Sequence, residues 1–156
     1  HKIICDIILD IFRKTNNAKI IETIQSIHNY VDISGDHMIR KGAIRAYEGE
    51  KMVVPFNMRD GLAICVGKSN EDWNCSCSHG AGRKLSKSKA KENISLDEFR
   101  ETMKDVYTTS VCKNTIDESP MAYKDTDTIV ELIKDTCDIL YMVKPLINIK
   151  STDEEI

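Results

Sequence analysis

The chain has 156 residues, 22 basic and 25 acidic side chains and a net charge of −3, a size that suits one compact domain. With 41% hydrophobic and 30% charged residues it can bury a core, which excludes a disordered tail, a collagen, a coiled coil and a disulfide mini-protein. Its apolar runs are too short to span a bilayer, and Asp6 interrupts any signal-peptide core.

Ile3, Ile4, Ile7, Ile8 and Ile11 recur at helical spacing and predict an amphipathic helix over residues 2–14 that stops at Asn16-Asn17. Leu9 and Phe12 widen its apolar surface beyond one stripe, so it must pack on two sides. It opens with no initiator Met, cap or leader. The expectation is a chain cut from something longer, which alone self-associates or exposes an apolar patch. A second apolar series, Ile20, Ile21 and Ile24, leads into irregular chain at 26–30. Residues 38–47 and 51–54 flank Glu48-Gly49-Glu50 and predict a hairpin. Residues 57–61 read as loop and 62–66 as a short buried strand. Residues 68–83 have no regular period, and long irregular segments inside compact domains are usually functional. Residues 85–91 form a basic helix or turn. Ser95-Leu96-Asp97-Glu98 is a capping box opening a helix to about Val106. Asp125 or Thr126 opens another, with Ile129, Val130, Ile133 and Cys137 on one face. Residues 139–149 are β-rich, and Pro145 marks an edge or a bend. The fold class is α+β, a mixed or antiparallel sheet with helices.

Six scattered cysteines in a chain that needs no staples read as reduced thiols, hence a cytoplasmic protein. Five of the 22 basic residues fall between Trp73 and Lys91, a stretch without an acid, which suggests a local phosphate-handling site. Within it lies Asn74-Cys75-Ser76-Cys77-Ser78-His79-Gly80-Ala81-Gly82-Arg83. In an extended strand Cys75, Cys77 and His79 share a face, which invites zinc. No second cysteine pair exists to complete a tetrahedral site, so both thiols are expected free. Phosphate is the stronger expectation. Backbone N–H groups of residues 80–82 and a helix start after them form a cradle, with Arg83, Lys84 and Lys87 adding charge. A neutral imidazole at His79, with one ring nitrogen free in a concave loop, can attack phosphorus. The alternative is a hydrogen-bonded turn histidine, and a Gly-x-Gly alone does not decide between them.

The run from Cys77 to Arg83, followed by Ser86, strongly resembles the signature of the RtcB family of RNA-splicing ligases. Other stretches match in order: His28-Asn29-Tyr30, Arg40-Lys41-Gly42-Ala43, the loop Pro55-Phe56-Asn57-Met58, Pro120-Met121-Ala122-Tyr123-Lys124-Asp125, and Ile149-Lys150. The resemblance spans nearly all of residues 1–156, read as the C-terminal portion of an RtcB-like ligase domain. It implies a ligase that joins an RNA 3′-phosphate or 2′,3′-cyclic phosphate to a 5′-hydroxyl, using GTP and Mn²⁺, in tRNA splicing or RNA repair. By motif position His79 resembles the guanylylated nucleophile and His28 a Mn²⁺ ligand. Asn29, Pro55, Phe56, Asn57, Met58, Gly80, Ala81, Gly82, Tyr123 and Lys150 resemble residues around the nucleotide. Lys41, Arg83 and Lys87 resemble contacts to RNA phosphates.

The match also departs from the family. Phe56-Asn57 replaces Gly-Ser, continuing Met58-Arg59-Asp60-Gly61, and Leu62 stands where ligases commonly carry Ser. Asn57 can replace a lost hydroxyl contact and Arg59 adds charge. Lys87 replaces an Arg, and Ser151 replaces a terminal Gly before an acidic tail. The resemblance covers roughly the last third of the family. The remaining Mn²⁺ ligands and an Asn-x-His-Phe segment belong to the part before it, so this stretch alone is expected to be inactive. RNA ends, and an archease-type activator, are the implied partners. The competing function is a non-catalytic module that binds nucleotides or RNA ends. His79 favours the enzyme, because binding phosphate alone is served by Lys or Ser.

Overall fold

The computed structural model describes residues 2–16, 19–33 and 37–151. The predicted helix stop at Asn17 and the acidic residues after Ser151 lie outside these. Helix α1 spans Lys2–Asn16, as the isoleucine spacing requires, but buries none of its residues. Ile3, Ile4, Ile7, Ile8, Ile11 and Phe12 are all at least 46% exposed. Fully burying such a side chain is worth about 1.5–3 kcal/mol, so this face favours association. The isolated chain is expected to elute as a dimer or larger species in chromatography with light scattering. A monodisperse monomer would show that α1 needs no cover.

Strands β1 (Asn29–Val31) and β2 (Ile39–Lys41) pair antiparallel. Strand β3 (Ala43–Arg45) pairs with β6 (Ser76–Ser78), which places Ile44 opposite Cys77 in the core. The largest sheet has the order β4-β5-β7, from Lys51–Asn57, Gly61–Gly67 and Cys137–Val143, and all its pairings are antiparallel. The hairpin predicted across Glu48-Gly49-Glu50 does not form. The chain turns at Gly42, so residues 38–47 divide between two partners. Strand β4 instead closes a short loop onto β5. Met52, Val54 and Phe56 alternate inward there, beside Ala63 and Cys65.

Helix α2 (Lys87–Asn93) is capped by Ser86. Helix α3 (Leu96–Thr102) opens on the expected capping box: the Ser95 hydroxyl accepts from the Glu98 N–H, and the Glu98 carboxylate accepts from the Ser95 N–H. Helix α4 (Thr126–Leu132) starts at the Asp125 cap and turns Ile129 and Ile133 inward, with Cys137 following as the first residue of β7. Strand β7 lies at the sheet edge before Pro145, as that proline suggests.

Two apolar clusters result. One joins the sheet to α4 around Met52, Val54, Phe56, Cys65, Cys77, Ile129 and Cys137. The other gathers Met58, Ala90, Ile94, Phe99, Met103 and Ile116 beneath α2 and α3. Tyr123 packs against both. Among the described residues no helix is long and apolar enough to cross a membrane.

Candidate active site

A cleft of about 640 Å³ opens along the seam between the clusters, walled by the 55–62 loop, residues 79–83, Glu118, Tyr123 and residues 145–150. The signature loop enters it from β6. Cys77 anchors that strand in the core, its sulfur 3.7 Å from that of Cys137. Hydrogen bonding with Cys137, and then burial, hold the Cys77 thiol well above its ordinary range, so it is an inert packing group. Cys75 adopts a left-handed backbone (φ 46°) just before β6. Strand β6 ends at Ser78, so the alternation that would have put Cys75, Cys77 and His79 on one face does not run through all three: Cys77 lies in the core and His79 on the cleft wall. All the described cysteines are free, and among the described residues no three His, Cys, Asp or Glu side chains converge to hold a metal.

His79 is half-buried, and its Nδ1 lies 2.7 Å from the Gly42 carbonyl oxygen. A carbonyl only accepts, so Nδ1 carries the hydrogen, and in the neutral ring the lone pair falls to Nε2. Nε2 meets no hydrogen-bond partner among the described residues. The Gly42 carbonyl is itself held in place, since the Gly42 N–H donates to the His28 carbonyl (3.0 Å) and to Asn29 Oδ1 (3.1 Å). Asn29, expected at the nucleotide, thus stands behind Gly42 and His79 and does not line the cleft. The exposed His28 ring stacks on His79, with centroids 4.9 Å apart and planes 16° from parallel.

The glycines do different work from that expected of a phosphate cradle. The Gly80 N–H faces the Ser78 hydroxyl (3.4 Å), and the Ala81 N–H donates to the Pro55 carbonyl (3.1 Å). Of the three donors only that of Gly82 is without a partner among the described residues. A Cβ at Gly80 would lie 2.8 Å from the Pro55 carbonyl oxygen, so glycine is required there for the two loops to touch. The helix start expected after Gly82 comes later, at Lys87, because residues 82–84 pair with 122–124 first.

In the opposite loop Phe56 and Met58 are buried, each in a different cluster, and form cleft walls. Asn57 turns its amide onto its own loop at the cleft wall. Its oxygen accepts from the N–H groups of Arg59 and Asp60 (3.0 and 2.9 Å), and its nitrogen donates to Asp60 (2.8 Å). Arg59 pairs with Asp60 at 2.7 Å and donates to Thr102. Its hydrogen bond holds the Asp60 carboxyl down at about 2.

The far wall centres on Glu118. Its carboxylate accepts from the Tyr123 hydroxyl (2.9 Å) and pairs with Lys150 (3.3 Å) and Arg83 (3.5 Å). Burial alone would raise the Glu118 carboxyl, but Tyr123, Lys150 and Arg83 outweigh it and hold it below its usual range. Arg83 also donates to the Leu85 and Asp117 carbonyls and lies 5.2 Å over the Tyr123 ring. Its guanidinium is therefore occupied in fixing the wall. Lys87, on α2, lies outside the cleft and approaches Asp117 at 3.8 Å. Lys41 is exposed on β2, next to Gly42.

A family model described as tRNA-splicing ligase RtcB matches residues 1–151. The chain belongs to the RtcB family. It is 36% identical over 139 residues to the RNA-splicing ligase RtcB of Escherichia coli (strain K12), covering 83% of this chain and 33% of that protein. It is 31% identical over 111 residues to the tRNA-splicing ligase RtcB of Nanoarchaeum equitans (strain Kin4-M), covering 60% of this chain and 23% of that one. The chain thus spans about a third or less of the length of these RtcB relatives.

Within this RtcB-family cleft, the motifs around His79, Pro55–Met58, Tyr123 and Lys150 do come together. Glu118 is the organising group that the sequence reading passes over. Its signal was slight: an acid two residues before the matched Pro120 motif. Burial, and then the bond to Glu118, push the Tyr123 hydroxyl up to about 12. In Glu118→Gln it is expected to fall toward the ordinary phenol value of about 10, read from tyrosinate absorbance with Tyr123→Phe as the blank. A raised value means stabilisation that is complete below about pH 10 and lost as pH climbs toward 12. Superimposable alkaline titrations of the native and Glu118→Gln proteins would contradict this.

Proposed function

We propose that this chain carries the nucleotide-transfer centre of a GTP-dependent RNA ligase, with His79 as the group that takes up GMP. The observation that carries this reading is the contact of His79 Nδ1 with the Gly42 carbonyl oxygen (2.7 Å) at the cleft wall, which in the neutral ring fixes the hydrogen on Nδ1 and leaves the lone pair on Nε2. Attack of Nε2 on the α-phosphorus of GTP forms a P–N bond as the bond to pyrophosphate breaks. The Nδ1–H···O=C bond stabilises the positive charge that builds on the ring. The GMP group then passes to an RNA 3′-phosphate, opened first if it is cyclic. The RNA 5′-hydroxyl attacks that phosphate, GMP leaves, and a 3′,5′ bond joins the strands. Exposed Lys41 and Lys87 suit the phosphates of the RNA chain.

The residues present do not by themselves fit Mn²⁺. His28 and His79 stand together, but a manganese ion takes about six donors and the described residues bring no third ligand there.

The test is labelling of the full-length protein with α-³²P-GTP in the presence of Mn²⁺. An acid-labile, alkali-stable label at His79 is the expected result. GTP binding without any covalent label would favour the non-catalytic module.

A further inference from the structure

One residue of the matched Arg40-Lys41-Gly42-Ala43 stretch is buried away from the cleft. Arg40, on β2, has 1% of its side chain exposed. Its guanidinium meets three separate segments of chain. Nε donates to the Ser76 hydroxyl (3.0 Å), Nη2 donates to the Asn74 carbonyl (3.4 Å), and Nη1 pairs with the equally buried Asp32 carboxylate (3.6 Å). The ring of Tyr30, its cross-strand neighbour, lies 6.0 Å from it. Taking a guanidinium out of water is costly, and apolar residues of the same volume often hold a core as well. What they lack is a rigid fork that fixes several partners in one geometry.

Both ends of this fork lie close to His79. Ser76 opens β6, and His79 follows the last residue of that strand, Ser78. The chain enters β6 through two successive left-handed residues, Asn74 (φ 51°) and Cys75 (φ 46°). L-residues rarely adopt that backbone, and it persists only where the surroundings hold it. The guanidinium grips it on either side of Cys75, and the Ser76 hydroxyl also donates to the Asn74 carbonyl (2.8 Å). At its other end Arg40 stands two residues before Gly42, whose carbonyl meets His79 Nδ1. Asp32 lies just beyond β1, the strand whose Asn29 accepts from the Gly42 N–H. Resting on the nucleophile reading above, we propose that Arg40, seated on Asp32, is a positioning residue for His79. It fixes the start of β6 against the β2–β3 bend, so that the Gly42 carbonyl keeps the hydrogen on Nδ1. Arg45 also pairs with Asp32 (3.2 Å) but turns the rest of its guanidinium to Glu50.

The test reads the tautomer of His79 in the full-length protein, before GTP and Mn²⁺ are added. Histidine rings labelled with ¹⁵N give long-range ¹H–¹⁵N correlations that distinguish the two nitrogens, and His79→Asn assigns the signals. The native ring is expected as Nδ1–H with a bare Nε2. Arg40→Met removes the fork, and Ser76→Ala removes its acceptor on β6 while leaving the buried charges paired. Both should move the signals toward the Nε2–H form. Ser76→Thr keeps the hydroxyl and should restore them. Arg45→Met takes a cation from the same carboxylate and should leave them unchanged. Labelling by GTP in single turnovers gives a second readout. In Arg40→Met the rate at saturating GTP should fall by about 10- to 100-fold, the scale of a nucleophile held about 1 Å out of place. The GTP concentration for half the maximal rate should stay within about 2-fold. A native tautomer in both Arg40→Met and Ser76→Ala overturns the proposal, and so does an equal shift in Arg45→Met. If Arg40→Met does not fold, the two Ser76 variants decide. A native protein that takes no label overturns the nucleotide reading, while the tautomers still judge Arg40.

Discussion

Replacing His79 with alanine is expected to remove covalent labelling by GTP, a fall of about 10³-fold or more, as loss of a nucleophile usually brings. The fold should survive, because His79 is half-buried at a cleft wall and belongs to neither apolar cluster. Only its contact with the Gly42 carbonyl and its stack on His28 are lost. His79→Asn sharpens the test, since its amide N–H can still meet the Gly42 carbonyl while no nucleophilic nitrogen remains. Both variants should melt within about 2 °C of the native protein, a shift worth roughly 1 kcal/mol or less. Label retained in either one would move the nucleophile to another residue.

The largest loss of stability is expected from Gly61→Ala. Gly61 opens β5 with φ +81°, and a Cβ there would sit 2.0 Å from the Val143 carbonyl oxygen and 3.0 Å from Pro145 Cδ. The left-handed backbone alone costs an L-residue roughly 1–2 kcal/mol. The clash is with backbone, which cannot swing aside as a side chain would. A total of about 3 kcal/mol or more follows, against the 5–15 kcal/mol that holds a typical domain together. For a chain of this size that lowers the melting temperature by roughly 10 °C. Relief of the clash would push Val143 and Pro145 outward, and residues 146–150 follow directly behind them. Nucleotide binding should therefore weaken together with the fold. A Gly61→Ala protein that melts like the native one would show that the β5–β7 edge yields without cost.

What could be read from the sequence was local. The isoleucine spacing of α1, the capping box at Ser95 and the Asp125 cap of α4 each lie within a few residues, and each stands where expected. The hairpin across Gly49 failed because pairing is a choice among partners. Residues 51–57 found a nearer one in 61–67, while 43–45 found theirs beyond the next hairpin, at 76–78. At the site, motif resemblance located His79, Tyr123 and Lys150, yet it could not say what each touches. The pairing of Nδ1 with Gly42 and the capture of Arg83 by Glu118 and the Asp117 carbonyl depend on residues far apart in the chain. No local spacing encodes such contacts. The glycines of the signature were correctly marked as special for an incomplete reason: Gly80 serves a loop-to-loop contact with Pro55.

Tyr123 touches both apolar clusters, and the cleft runs along the seam between them. A bound nucleotide would bridge that seam as mortar bridges two stones. Amide hydrogens on both banks, around Phe56 in one half and Met58 in the other, would then exchange with solvent together and more slowly, as parts of one cooperative unit.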